Sequence, residues 1–253
     1  MNSLAKNNTP PTGDELQPNP KMMLEHLKLM FSRVPDEYPG GRVEIRCLHP
    51  DGNRVENHTF DAEAGLGKAV EHSELFNRQG FNVYFGINPR LPSVAPFGAC
   101  NEKDVEAAFF NVADLDSEES LVRHKEGSAI EPSFGVVTGK TPFTRGHLYF
   151  EHEDICRNLD AWKDIQCGMI DHYASDPAIK DTPRIMRLAG SVSIPTRKKL
   201  EKGYVPELVI LMKKDAGPYP SNQLATAFPM DKKTGIRGLN LPQWENEHFN
   251  LEA

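Results

Sequence analysis

The sequence is short of cysteine, of net positive charge and of long apolar runs, and each shortage narrows what the chain can be. It has four cysteines, Cys47, Cys100, Cys156 and Cys167. None forms a C-x-x-C pair, and none stands at zinc-finger spacing from a histidine. That argues against a zinc module or a disulfide framework and for reduced, mostly buried thiols in a cytoplasmic protein. The formal net charge is −7, so this is not a generally basic nucleic-acid binder, and any phosphate-facing surface has to be local. No apolar run approaches the ~18 residues of a membrane span, and the N-terminal stretch lacks the apolar core of a signal peptide. No membrane partner is expected. There is no internal repeat.

What remains is a chain of 253 residues, 38% hydrophobic and 26% charged, with 20 prolines and 19 glycines to make turns. This suffices for one large domain or a domain with a small appendage. Residues 1–20 are polar, carry four prolines and read as a disordered leader. Residues 21–215 read as the main domain. Residues 216–253 read as a C-terminal extension or the start of a linker.

Met23, Leu24, Leu27, Met30, Phe31 and Val34 recur at helical spacing, which predicts a helix over 21–34 ending before Pro35. Strands are expected over 42–48 and 54–60, joined by a turn at Asp51-Gly52. A helix over 63–78 and a strand over 81–87 follow, then a Pro/Gly-rich loop over 89–103. The apolar stretch AAFFNVADLD (107–116) reads as a strand, and Ser117 caps a helix over 118–126. Further strands are expected near 133–138, 146–150, 190–194 and 206–213. Further helices are expected over 153–172, over a short stretch ending near Leu188, and at 221–228. Strands and helices mix without regular βαβ alternation, which argues for an α+β fold with one mainly antiparallel sheet.

Three segments carry chemistry. The strand at 107–116 finishes in Asp114-x-Asp116, and residues two apart on a strand share a face. The two carboxylates therefore converge and repel, a cost that a divalent cation such as Mg²⁺ or Mn²⁺ resolves. The plainer account is two surface aspartates at a strand end. The second segment, TGKTPFTRGHLYF (138–150), brackets Lys140 and Arg145 between Gly139 and Gly146 before His147 opens a strand. Glycines let backbone amides approach phosphate, and the basic residues add charge-assisted bonds. A lone histidine here is more often structural. GVVTGKT (135–141) imitates a P-loop but is one residue short, and Pro142 follows where a helix should open.

The third segment is SDPAIKDTPRIMRLAGS (175–191). Asp176 precedes a proline, as a helix N-cap does, which is the plainer local account; the functional account is a third carboxylate for the first two. Asp171 and Asp181 compete for that place. Arg184 and Arg187, three apart, are expected on one helix face. From 184 to 203 the basic residues Arg184, Arg187, Arg197, Lys198, Lys199 and Lys202 face a single acid, Glu201. This local excess in an acidic chain is the best phosphate-facing candidate.

Taken in order, an apolar strand ending in D-x-D, a glycine-bracketed loop into R-G-H, and Asp-Pro-Ala followed by R-I-M-R-L-A-G resemble the archaeo-eukaryotic primase superfamily. VYFGINPR (83–90) adds to the likeness. The segment from about 80 to 215 looks most like the primase-polymerases of plasmids and phages, including RepB-type primases. The resemblance implies an RRM-like, mainly antiparallel sheet with an added αβ unit. It implies that Asp114, Asp116 and Asp176 hold two divalent ions, and that His147, Arg187, Lys140, Arg145 and Thr138 serve the incoming nucleotide. Thr138 stands where serine is frequent, Ala189 where proline is, and the second loop is longer than the family's minimal pattern.

The implied partners are a single-stranded DNA template and primer, NTP or dNTP, and a helicase or a C-terminal helical primase domain. The implied setting is the replication of a phage or other mobile element. Arg90, Arg184, Arg197, Lys198 and Lys199 are the candidate nucleic-acid contacts. Two other readings stay open: a metal-dependent glycosyltransferase, which also uses D-x-D, and a non-catalytic replication-initiator or nucleic-acid-binding module.

Overall fold

A computed structural model describes residues 16–213 and 216–230. Most of the expected leader and the end of the expected extension lie outside the described residues. Residues 16–20 are placed: the Asn19 side chain caps the first helix by accepting the Met22 N–H at 3.1 Å, and its own N–H donates to the Gly190 carbonyl at 2.7 Å.

That helix, α1 (Pro20–Phe31), stops before Pro35 as expected, and a single further turn, α2 (Val34–Glu37), carries the proline in its first positions. Strands β1 (Arg42–Leu48) and β2 (Val55–Asp61) form the expected hairpin, with Arg42 opposite Asp61 and Leu48 opposite Val55. Gly52 takes the positive φ of 80° that its turn demands. Helix α3 (Leu66–Arg78) and strand β3 (Asn82–Gly86) follow. Strand β4 (Ala108–Leu115) ends at the paired aspartates, and α4 (Glu118–Lys125) starts from the Ser117 cap. Strands β5 (Phe134–Gly139) and β6 (Arg145–Cys156) flank the glycine-bracketed loop.

Two expectations fail in this middle region. The helix expected from 153 begins only at Leu159, capped by Asn158, as α5 (Leu159–Tyr173). Residues 153–156 instead prolong β6, where Cys156 pairs with Ala108 across a bulge in the ladder. The short helix expected to end near Leu188 is a 3₁₀ turn, Pro177–Lys180, followed by β7 (Ile185–Arg187). Pro183 is the cause: it bars Thr182 from helical backbone and removes a donor. Arg184 and Arg187 therefore do not share a helix face.

The remaining elements are β8 (Val192–Ser193), α6 (Arg197–Leu200), β9 (Glu207–Leu208), β10 (Ile210–Lys213) and α7 (Ser221–Ala227). The fold is α+β and its sheets are antiparallel, but the described residues form two four-stranded sheets where one was expected. Their orders are β2-β1-β3-β7 and β10-β5-β6-β4, and β8 and β9 make a separate ribbon.

Side-chain alternation explains how the sheets face each other. Phe110 and Val112 of β4, Phe134 and Val136 of β5 and Tyr149 of β6 join Val43, Ile45, Val83 and Phe85 of the first sheet in one core. His26 of α1 sits edge-on between the two, with its ring 4.8 Å from Phe85 and 5.6 Å from Tyr149. The other face of the second sheet, with Ala113, Leu115, Leu148 and Phe150, packs on Ile165, Met169 and Tyr173 of α5. Leu224, Ala227 and Phe228 complete this second core. These three residues come from the stretch beyond 215.

Candidate active site

Asp114 continues the inner-face row of Phe110 and Val112, and in the ladder it lies opposite His147. His147 in turn lies opposite Val136 of β5, two residues before Thr138. The inner face of the second sheet is therefore apolar at one end and polar at the other. The polar end opens into a cleft of about 740 Å³, counting the open space at its mouth. Asp114, Asp116, Thr138, Arg145 and His147 line one side. Tyr84 and Arg187 of the first sheet, and Ser193, Lys199 and Tyr204 of the following segment, line the other.

The charges in this cleft are not balanced locally. Burial, then the neighbouring charges of Asp116 and Asp176, raise the Asp114 carboxyl to about 7, against smaller opposing effects from Arg187 and Arg184. Its side chain is still 22% exposed, toward the cleft. His147 Nε2 lies 3.7 Å from Asp114 Oδ1. Burial, followed by the Arg187 charge, lowers the imidazole to about 3, so it is neutral and the approach is not an ion pair. Its Nδ1 is 3.4 Å from the Tyr149 hydroxyl. Arg187 donates to Asn82 Oδ1 at 2.8 Å and lies 5.0 Å over the Tyr84 ring. These two partners aim the guanidinium while leaving donors for a ligand.

Asp176 is not among the cleft-lining residues. It is exposed, and its carboxylate caps the 3₁₀ turn by accepting the Ala178 N–H at 2.8 Å. Its loop still abuts the site, because the neighbouring Ser175 hydroxyl accepts the Asp114 backbone N–H at 3.2 Å. Neither competing aspartate lines the cleft: Asp171 lies on α5 and Asp181 closes the 3₁₀ turn. Among the described residues no three His, Cys, Asp or Glu side chains form a ready-made metal cage. The donor set nevertheless fits a hard divalent ion. Two carboxylates repel on one side of an open cleft, and Mg²⁺ is commonly held by one or two carboxylates, waters and substrate phosphates.

The basic candidates divide. Arg187, Lys199 and Arg145 reach the cleft. Arg145, however, is engaged: it donates to Glu207 Oε2 at 3.1 Å and to the Thr141 carbonyl at 2.7 Å. Lys140 is exposed outside the cleft lining, and Arg184 lies off it as well. Arg197 and Lys198 are exposed on α6. Arg90 is a correction: it is fully buried, with both Nε and Nη2 donating to Glu44 Oε2 at 2.9 and 2.6 Å. A guanidinium sealed in that pair cannot meet nucleic acid. Tyr84, Ser193, Tyr204 and Glu207 were not singled out from the sequence. They come from segments far apart in the chain: Tyr84, Ser193 and Tyr204 line the cleft, and Glu207 stands behind its wall, paired with Arg145.

No protein-family model matches the sequence, and no curated protein matches it significantly. Solved structures do match. The archaeo-eukaryotic primase domain of the cyanophage S-2L primase-polymerase superposes with a TM-score of 0.61 at 18% identity, over 85% of this chain and 100% of that one. The chain has the fold of a primase-polymerase catalytic domain. The catalytic domain of primase RepB', solved with initiator DNA, superposes with a TM-score of 0.52 at 20% identity, over 81% of this chain and 94% of that one. A longer RepB' structure gives 0.51 at 18% identity, with 62% of its length covered. In this primase-polymerase fold, the cleft lies where the two antiparallel sheets part, at the C-terminal end of β4. No helix among the described residues is long and apolar enough to cross a membrane.

Proposed function

We propose that the chain is a template-dependent nucleotidyl transferase, a primase-polymerase that makes or extends primers on single-stranded DNA. The observation that carries this reading is the cleft itself. Unmatched carboxylates, Asp114 and Asp116, lie on one side, and Arg187 and Lys199 lie on the other. A nucleoside triphosphate with a divalent ion complements both sides.

Asp114 and Asp116 would hold Mg²⁺ or Mn²⁺, with Asp176 supporting from the adjoining loop. When bound, two such ions would activate the attacking hydroxyl and stabilise the leaving pyrophosphate. The chain's own residues do the rest. With the Tyr149 hydroxyl as donor to His147 Nδ1, 3.4 Å away, the neutral imidazole would carry its proton on Nε2, beside Asp114, where it would donate to a phosphate oxygen. Arg187, braced by Asn82 and Tyr84, neutralises the triphosphate, and Lys199 adds charge from α6. In the step itself a 3′-oxygen forms a bond to the α-phosphorus while the bond to the pyrophosphate oxygen breaks. Template sequence would be read by base pairing, so the protein has to grip backbone and bases without reading them. The likeness in fold to a cyanophage primase-polymerase supports a role in phage or other mobile-element replication, in which a helicase or a further helical domain would be partners.

The test is incorporation on primed and unprimed single-stranded templates with Mg²⁺ or Mn²⁺. Metal-dependent extension that disappears in Asp114→Ala/Asp116→Ala establishes the polymerase, and dinucleotides on the unprimed template add priming. A folded protein that binds DNA but incorporates nothing is a binding module instead.

A further inference from the structure

The Glu207 carboxylate collects donors from the loop between β5 and β6. The Lys140 N–H donates to Oε1 at 2.7 Å and the Thr141 N–H at 3.1 Å. Arg145 donates to Oε2 at 3.1 Å, and its other terminal nitrogen donates to the carbonyls of Thr141 and Phe143 at 2.7 and 3.1 Å. The guanidinium also stacks on Tyr204 at 4.4 Å. Loop 139–145 is thus wrapped around a nearly buried ion pair, with side chains 9% and 16% exposed. Gly139 leaves room for this: a Cβ there would meet the ends of the Arg145 and Glu207 side chains. Glu207 stands on β9 opposite Ser193, so the pair ties the loop wall of the cleft to the wall that carries Ser193, Lys199 and Tyr204.

We propose that Glu207 is a positioning residue, which with Arg145 fixes the two walls at the width the incoming nucleotide needs. Arg145 is the tether and not a free phosphate ligand. Its charge is answered by Glu207, and four of its contacts are with protein. The phosphate-binding cations are then Arg187 and Lys199. This rests on the polymerase reading of the cleft.

The test uses Glu207→Gln, which keeps the shape and removes the charge, and Arg145→Met, which keeps the apolar stem. Each should raise KM for the incoming nucleotide about tenfold, with a smaller fall in kcat. The double variant should be no worse than the poorer single, because both remove one tether. Trypsin should cut after Lys140 several-fold faster in both variants than in the wild type, a readout independent of turnover. Should Glu207→Gln fail to fold, Glu207→Asp keeps the charge one methylene short of the loop amides and should show the same faster cleavage. Unchanged KM and unchanged cleavage overturn the proposal. So does a fall in kcat with KM and cleavage unchanged, which would place Glu207 in the chemistry. A wild type that incorporates nothing sinks the polymerase reading, while the cleavage comparison still decides whether Glu207 holds the loop.

Discussion

The molecule gathers charge in two places, and it treats them in opposite ways. Under the first sheet, Glu44 is fully buried with Arg90 and hydrogen-bonded to Arg46 as well. Burial alone would raise this carboxyl, but the Arg90 charge and the Arg46 hydrogen bond outweigh it and hold the group below its usual range. At the end of the second sheet, Asp114 meets Asp116 and Asp176 instead of a partner cation, and its carboxyl rises to about 7. A compensated cluster holds a fold together, and an uncompensated one facing a cleft marks a candidate binding site. Two arginines that look equivalent in the sequence thereby acquire different meanings. Arg90 closes its site, and Arg187 faces an open one.

The largest effect should separate the two clusters cleanly. Asp114→Ala/Asp116→Ala should lower metal-dependent incorporation by ~10³-fold or more while leaving the urea midpoint unchanged or higher, since it removes repulsion and no packed contact. A large loss of stability in this variant would break the comparison. Arg90→Met should do the reverse. It strands Glu44 without its buried partner and should cost about 3–5 kcal/mol in urea unfolding, with activity per folded molecule retained.

The pH dependence follows from the depressed Glu44. Its stabilisation is complete above its ordinary value of 4.5 and is lost as pH falls through the lower folded value. Glu44→Gln should therefore flatten the acid limb of a stability–pH curve below about pH 4.5. A curve that falls equally in both proteins would mean that other carboxylates dominate.

Much of this was legible in the sequence where the signal is local. The D-x-D at a strand end, the Asp51-Gly52 turn, the Ser117 cap and the helical spacing of Met23, Leu27 and Met30 each need only a few neighbouring residues to be read. What was missed depends on pairing. Whether Arg187 lies on a helix or a strand turned on Pro183 and on β3 as a partner, neither of which a 3.6-residue period reports. Burial of Arg90 depends on Glu44, 46 residues away. Glu207 lies 62 residues from Arg145, on a strand of two residues, and no sequence window spans that distance. Asp176 shows the opposite limit. Its local signal, a cap before proline, is what the side chain does, and its electrostatic reach to Asp114 appears only in three dimensions.

On the cationic side, Arg187→Met should lower kcat/KM for nucleotide by about 10–100-fold, the value of one or two charge-assisted bonds to phosphate. The smallest effect is expected on α6, where the side chains meet solvent. The Arg197 side chain is 93% exposed and only loosely paired with Glu201 at 3.4 Å, an arrangement that adds little to stability. Arg197→Ala/Lys198→Ala should therefore leave the urea midpoint and nucleotide KM in place. If this turn touches the template backbone, affinity for single-stranded DNA should fall by a few-fold, and the slope of log affinity against log salt should become shallower by about 0.7 for each lost phosphate contact. An unchanged slope would confine the functional cations to the cleft. The line between compensated and uncompensated charge would then lie at Lys199, the residue of α6 that lines the cleft.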